Sequence, residues 1–343
     1  MSARLWIIIL SLVSSCALAD SPQQIASIGD LLLESGEILQ DCEVGYRTAG
    51  TLNADKSNVL LVPTWFTGAS GDLMKYEVIG PGKMFDTDRY FVIAVDALGN
   101  GVSTSPSNSA TQAGSRFPLI AIDDMVKSQH ILLTEHLGID HVQAVIGISM
   151  GGMQTFQWIG QYPEFMDKAV PIDGSPRMTS YDLVQWQTHE TAIEMMQEAG
   201  ISNAKITEFL ASANLVTLWT PDYFVENITP EAFPEYLAGA VKDYEQLDAS
   251  DYLSQLRAMM SHDVYADHAA DEQSYIQKVK ASVLVIGVVQ DHMVNPTPGK
   301  VLSESLGAQY AGIESNCGHM GTVCEDAEVG AVVSTFLKQK WSD

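Results

Sequence analysis

The 343-residue sequence predicts an α/β architecture, a mostly parallel, doubly wound sheet with an inserted helical cap. Three observations carry that expectation. Short apolar runs rich in Val and Ile alternate with amphipathic stretches, the pattern of parallel strands covered on both faces. Residues 177–278 break the alternation with helix-like sequence and no convincing strand. Ordinary connections take only about 4–6 residues, so this interval reads as an insertion over the carboxyl edge of the sheet, where ligands of open α/β sheets bind. Finally, Gly147-Ile148-Ser149-Met150-Gly151-Gly152 stands between an apolar run and a helical stretch.

Composition agrees with a large globular unit, since 46% of residues are hydrophobic and 18% charged, which excludes collagen-like and disordered chains. The formal charge of −25 repels phosphate backbones and makes nucleic acid an improbable partner. At the N-terminus, Arg4 precedes the apolar run from Leu5 to Leu12, and Ala17-Leu18-Ala19 supplies a small-x-small cleavage pattern. Residues 1–19 therefore read as a signal peptide cut before Asp20, directing the protein to the periplasm or outside the cell. Val13-Ser14-Ser15-Cys16 offers a lipoprotein box as the rival processing site. No later stretch is long and apolar enough to insert stably in a membrane. If Cys16 leaves with the leader, Cys42, Cys317 and Cys324 remain. Cys317 and Cys324 are close enough in sequence to pair, with Cys42 a buried apolar side chain.

The core is expected in residues 20–176 and 279–343. Asp30-Leu33 and Cys42-Thr48 read as opening strands around a Ser35-Gly36 turn. Asn58-Val62, Tyr90-Val95, Val142-Ile148, Lys168-Ile172 and Ser282-Val289 read as buried strands. Ile122-Leu137 is an amphipathic helix with Met125, Val126, Leu132, Leu133 and Leu137 on one face. Within the insertion, Tyr181-Ala199, Ala204-Leu218, Pro230-Lys242 and Tyr252-Met260 are helical, and Glu325-Trp341 forms the last helix.

The chemistry gathers at strand ends. A strand, a tight Gly-x-Ser-x-Gly turn and a helix form a nucleophile elbow with Ser149 at its apex. Gly147 and Gly151 are needed because side chains two positions from so sharp a turn would collide. A serine hydroxyl is a weak nucleophile and needs a base, which needs an orienting group. The expected chain order is Ser, acid, His. Asp291 follows the strand Ser282-Gln290, and His319 lies in a loop before the last helix. Both fit by order and by position. The backbone N–H of Met150 and one from Pro63-Thr64-Trp65-Phe66-Thr67-Gly68, taken as Phe66, are the expected oxyanion donors. Trp65, Phe66 and Thr67 would line the pocket. His262, Asp263, Asp267 and His268 have a spacing that fits no recognised metal site, so neither metal nor cofactor is expected.

With these residues in view, the chain resembles the α/β-hydrolase superfamily and, within it, the homoserine O-acetyltransferase branch. The likeness rests on Ile79-Gly80-Pro81-Gly82-Lys83, Asp86-Thr87-Asp88-Arg89-Tyr90-Phe91, Phe117-Pro118, Asp124-Met125-Val126 with Gln129, and Ser149-Met150-Gly151-Gly152-Met153-Gln154. It implies the α/β-hydrolase fold, a Ser149, Asp291 and His319 triad, an acyl-serine intermediate and a cap that shapes the entrance. The likeness fails where that branch chooses its substrate. Its aspartate after the catalytic histidine is Met320 here, its carboxylate-gripping arginine is matched by Glu190, and its His-Ala oxyanion stretch reads Thr64-Trp65. Acid and thioether cannot hold a zwitterion with the polarity an arginine and an aspartate provide.

The expected activity is therefore exported, serine-dependent acyl transfer, hydrolysing a small ester, thioester or amide. Transfer to an alcohol or amine acceptor is the alternative, and a non-catalytic binding protein on the same fold is a third. The expected partner is a small acyl substrate; a homodimer is compatible with the sequence.

Overall fold

The computed structural model describes residues 22–266 and 271–339. The expected leader, and Asp267, His268 and Trp341, lie outside the described residues. The strands of the main sheet are β1 (Gln24–Leu32), β2 (Ile38–Ala49), β3 (Val59–Pro63), β4 (Phe91–Val95), β5 (Val142–Ile148), β6 (Met166–Ile172), β7 (Ser282–Val288) and β8 (Gln309–Ile313). They form one 8-stranded sheet in the order β1-β2-β4-β3-β5-β6-β7-β8. β1 and β2 pair antiparallel, as do β2 and β4, and every other neighbour pair is parallel.

Helices α1 (Ser70–Lys75), α2 (Ile122–Ile131) and α3 (Met150–Gln161) precede β6. Between β6 and β7 lie α4 (Ser180–Glu198), α5 (Asn203–Leu218), α6 (Pro221–Asn227), α7 (Phe233–Tyr244), α8 (Ala249–Met260) and α9 (Glu272–Lys278). After β7 come α10 (Thr297–Leu306), α11 (Gly321–Cys324) and α12 (Asp326–Lys338). Among the described residues no helix is long and apolar enough to cross a membrane.

β3 is buried along its whole length and alternates between the two faces of the sheet. Val59 and Leu61 join Val145, Phe156 and Trp158 on one side, whereas Leu60 and Val62 join Ile146, Ile172, Ile286 and the α12 residues Val329 and Val333 on the other. Each such side chain, fully buried, contributes roughly 1.5–3 kcal/mol, so the double covering explains why continuous apolar runs mark these strands. A third apolar cluster lies at the carboxyl edge, where Met150, Met153, Met293 and Val294 meet Trp186, Ile193, Leu210, Tyr252 and Leu256 of the inserted helices.

Some elements differ from their sequence patterns. The helix beginning at Ile122 passes at Leu132 into a π-helical turn, Leu132–His136, which ends before Leu137. α6 lies outside the expected helices; it starts at Pro221, with Thr220 Oγ1 accepting from the Tyr223 N–H (3.0 Å) as its cap. α9 falls inside the interval 177–278 yet packs on the core, where Tyr275 Oη donates to the Phe156 carbonyl (2.6 Å). The last helix stops at Lys338, and its final carbonyls, Phe336 and Leu337, accept from the buried Lys168 ammonium (3.2 and 2.7 Å).

Candidate active site

Ser149 is the junction of β5 and α3, with φ 58° and ψ −121°. A non-glycine backbone there is strained by about 1–3 kcal/mol and persists only where its surroundings enforce it. The glycines do the enforcing. A Cβ on Gly147 would sit 2.0 Å from the Gly151 carbonyl oxygen, and one on Gly151 would sit 2.5 Å from that of Pro63. The Ser149 N–H donates to Ile172 O (2.8 Å), and the Met153 N–H returns to Ser149 O (3.0 Å). The elbow is thus tied to β6 and to the loop after β3.

His319 reaches this serine from a 3-10 turn, Gly318–Met320, after β8. Its Nε2 is 2.9 Å from Ser149 Oγ, and its Nδ1 is 2.7 Å from Asp291 Oδ2. A carboxylate only accepts, so Nδ1 carries the proton and Nε2 is left to accept from the serine hydroxyl. The other Asp291 oxygen accepts from the N–H groups of Met293 (2.8 Å) and Val294 (3.1 Å), which fixes the carboxylate. Burial opposes the imidazolium form of His319, but the charge and hydrogen bond of Asp291, with a further contribution from Asp173, outweigh it and raise the pKa above 6.5. The Cys317–Cys324 disulfide, with Cα atoms 6.5 Å apart, brackets the histidine. Cys42 is buried, and burial drives its thiol up to about 12.

Phe66 follows β3 in the loop whose Pro63 carbonyl faces Gly151. The neighbouring Thr67 N–H is committed to Gln255 Oε1 (2.9 Å), whereas the hydrogen bonds of the described residues include none from the N–H of Phe66 or Met150. A buried chain of amides braces this loop against the elbow. Gln154 Nε2 donates to the Thr64 carbonyl (3.0 Å), Gln129 Nε2 to Gln154 Oε1 (2.5 Å), and the Trp158 indole to Gln129 Oε1 (2.8 Å). This is what the family-like residues Gln129 and Gln154 do here.

The remaining candidates scatter. The Phe66 ring lies against Tyr252 (4.5 Å) and Trp186 (6.0 Å) of the inserted helices. Trp65 lies over Gly68 and against Tyr76 (6.1 Å). Thr67 borders a polar cavity of about 350 Å³ shared with Asn100, Asp251 and Gln255, and Ser149 is not among its lining residues. Met320 is half-buried beside His319. Glu190 binds Arg257 Nε (2.7 Å), and the same guanidinium reaches Glu194 (2.5 Å). His292 turns to the carbonyls of Gln290 and Val216. Among the described residues no group of His, Cys, Asp and Glu side chains is arranged to hold a metal ion.

One acid escaped sequence reasoning. Asp173 directly follows β6, in the same kind of position that drew attention to Asp291, and Ile172-Asp173-Gly174 was the signal available. Its carboxylate is buried, accepts from the Val288 N–H (2.8 Å) and from the Thr322 hydroxyl, and has φ 47°. Burial first, then repulsion from Asp291, pushes its pKa up to about 6, with His319 acting in the opposite sense.

An elbow serine, an imidazole and a carboxylate at the ends of parallel strands define the α/β class of acyl-transfer enzymes. Residues 58–323 match the alpha/beta hydrolase fold family, and the chain belongs to it. It is an α/β-fold serine hydrolase or acyltransferase. It is 32% identical over 324 residues to an ethyl acetate hydrolase of Pseudomonas veronii, covering 90% of this chain and 92% of that one. It is 30% identical over 353 residues to a homoserine O-acetyltransferase of Methanococcoides burtonii, covering 90% and 72% respectively. The structure of the acetyl esterase MekB superposes with a TM-score of 0.86 at 28% identity, covering 93% of this chain and 98% of that one.

Proposed function

We propose that the protein is an exported serine esterase that cleaves short-chain esters, acetates foremost, through an acyl-serine. The observation that carries this reading is the hydrogen-bonded chain from Ser149 through His319 to Asp291 (2.9 and 2.7 Å). His319 Nε2 takes the proton of Ser149 as Oγ bonds to the ester carbonyl carbon. The bond to the alkoxy oxygen then breaks, and the proton passes to the departing alcohol. Water attacks the acyl-serine by the same relay and releases the acid. Asp291 steadies the imidazolium, and the N–H groups of Met150 and Phe66 receive the oxyanion.

Hydrolysis is favoured over homoserine acylation by the residues at two substrate-choosing positions of the resembled branch. Glu190, in place of a carboxylate-gripping arginine, is neutralised by Arg257, and Met320 is apolar. The esterase relatives point the same way. Residues 1–19 support export, and the protein recovered outside the cytoplasm is expected to begin at Asp20.

Wild-type enzyme is expected to release acetate from ethyl acetate and to take up a fluorophosphonate label. Ser149→Ala should lose both, with kcat falling by about 10⁵–10⁶-fold. Persistent labelling of that variant would remove Ser149 from the mechanism. Mass spectrometry after adding a second alcohol separates hydrolysis, which yields free acid, from acyl transfer, which yields a new ester.

A further inference from the structure

The first turn of α4 is pinned to a loop of the site. Asp182 Oδ1 accepts from the Asn295 N–H (3.1 Å), on the loop that carries Asp291. One turn further along come Gln185 and Trp186. Trp186 is 1% exposed and stands edge-on to Phe66 (6.0 Å) and to His189 (5.7 Å). It shares an apolar cluster with Met150 and Met293. Residues of three loops therefore share its cluster: the one after β3, the elbow, and the one after β7.

The polar atoms of this pair have no partners among the described residues. The Trp186 indole N–H is buried without an acceptor, and both amide atoms of the half-buried Gln185 are shut off from solvent without a hydrogen bond. Their neighbours are satisfied. His189 Nδ1 meets Tyr252 Oη (2.9 Å), Asn214 Nδ2 donates to the same oxygen (3.0 Å), and a second fully buried indole, Trp158, donates to Gln129 (2.8 Å). An unpaired buried donor is costly, and the cost disappears when a bound group supplies the acceptor.

We propose that Trp186 and Gln185 form a neutral polar subsite for a hydroxyl group on the ester substrate. The indole only donates; the Gln185 amide both donates and accepts. A hydroxyl meets both demands, whereas an alkyl group meets neither. A carboxylate or ammonium finds no counter-charge in the pair, and the nearby Arg257 guanidinium is engaged by Glu190 and Glu194. The inference rests on the esterase reading and narrows it to short esters bearing an uncharged hydroxyl, in the alcohol portion or the acyl portion.

Three esters test this: ethyl acetate without a hydroxyl, 2-hydroxyethyl acetate with one on the alcohol side, and ethyl glycolate with one on the acyl side. Wild-type kcat/KM should favour one hydroxylated ester over ethyl acetate. Trp186→Phe, which keeps a ring and removes the N–H, should cut that ratio by about tenfold, and Gln185→Leu should cut it comparably. Which hydroxylated ester is favoured assigns the hydroxyl to its side. Binding is read separately in the Ser149→Ala protein with ¹⁵N-labelled tryptophan. The indole resonance lost in Trp186→Phe should move further with the favoured ester than with ethyl acetate. An unchanged ratio in both variants, or equal movement with all three esters, overturns the subsite. Absence of any ester turnover overturns the esterase reading instead, while the resonance still decides the subsite.

Discussion

The strand-end loops and the inserted helices face each other across Ser149 and are built by opposite rules. In the loops nearly every polar group is committed. Both Asp291 oxygens are engaged, Ser149 is tied through its own N–H and C=O, and Gln154 holds the Thr64 carbonyl. The inserted helices are looser. α6 and α7 bury none of their residues, a partly exposed ion pair joins α4 to α8, and atoms of Gln185 and Trp186 are buried without partners among the described residues. Chemistry needs fixed geometry, and parallel strand ends supply it. Selectivity needs groups that wait for a ligand, and under the proposal above the inserted helices would supply those.

Substitutions should divide along the same line. Gly147→Ala is the severest test of the rigid side, because its methyl would meet the Gly151 carbonyl at 2.0 Å with only backbone to yield. We expect a loss of at least about 3 kcal/mol in denaturant unfolding, or failure to fold; near-native stability would mean that the elbow is not sterically locked. Replacing Cys317 and Cys324 by Ser opens the seven-residue span around His319. A span that short predicts a loss of about 2–3 kcal/mol by thermal unfolding, and activity should fall more steeply with temperature than in the wild type.

Asp173→Asn probes the second acid. Because His319 must be neutral to accept the serine proton, and its pKa is raised, kcat/KM should fall as pH drops through a value above 6.5. Asp173 favours the imidazolium, so removing its charge should move that acid limb to lower pH. A limb that stays in place would leave Asp173 a purely structural residue held by Val288 and Thr322. The smallest effect is expected from Glu190→Gln. Glu190 and Arg257 form a partly exposed pair, worth about 0.2–1 kcal/mol, so the melting temperature should barely change. A large loss of esterase activity in that variant would show that the loose side positions substrate through this charge.

The legible parts of the protein were those whose signals are local. Gly147 marks the elbow because the collision it avoids, with the Gly151 carbonyl, lies within five residues, whereas Gly151 makes room for the Pro63 carbonyl on a distant strand. Asp291 and His319 could be placed because groups in the loops that follow strands converge once the strands are parallel. Asp173 carries a similar mark, directly after a buried strand, but its role depends on Val288 and Thr322, partners more than a hundred residues away. Trp65 and Phe66 looked equivalent in sequence, yet their rings part, one toward Tyr76 and the other toward Tyr252. Glu190 stood out as a reversal of charge, but its partner Arg257 lies 67 positions away on another helix.

Taken alone, the sequence determined the layering of helices on a mostly parallel sheet, the insertion, and which serine, histidine and aspartate meet at the strand ends. These follow from side-chain period and steric exclusion along short stretches, which any packing of the chain must respect. Only the tertiary structure decided which buried groups are satisfied and which are left waiting, because the partner of a side chain on an inserted helix depends on how that helix crosses the others.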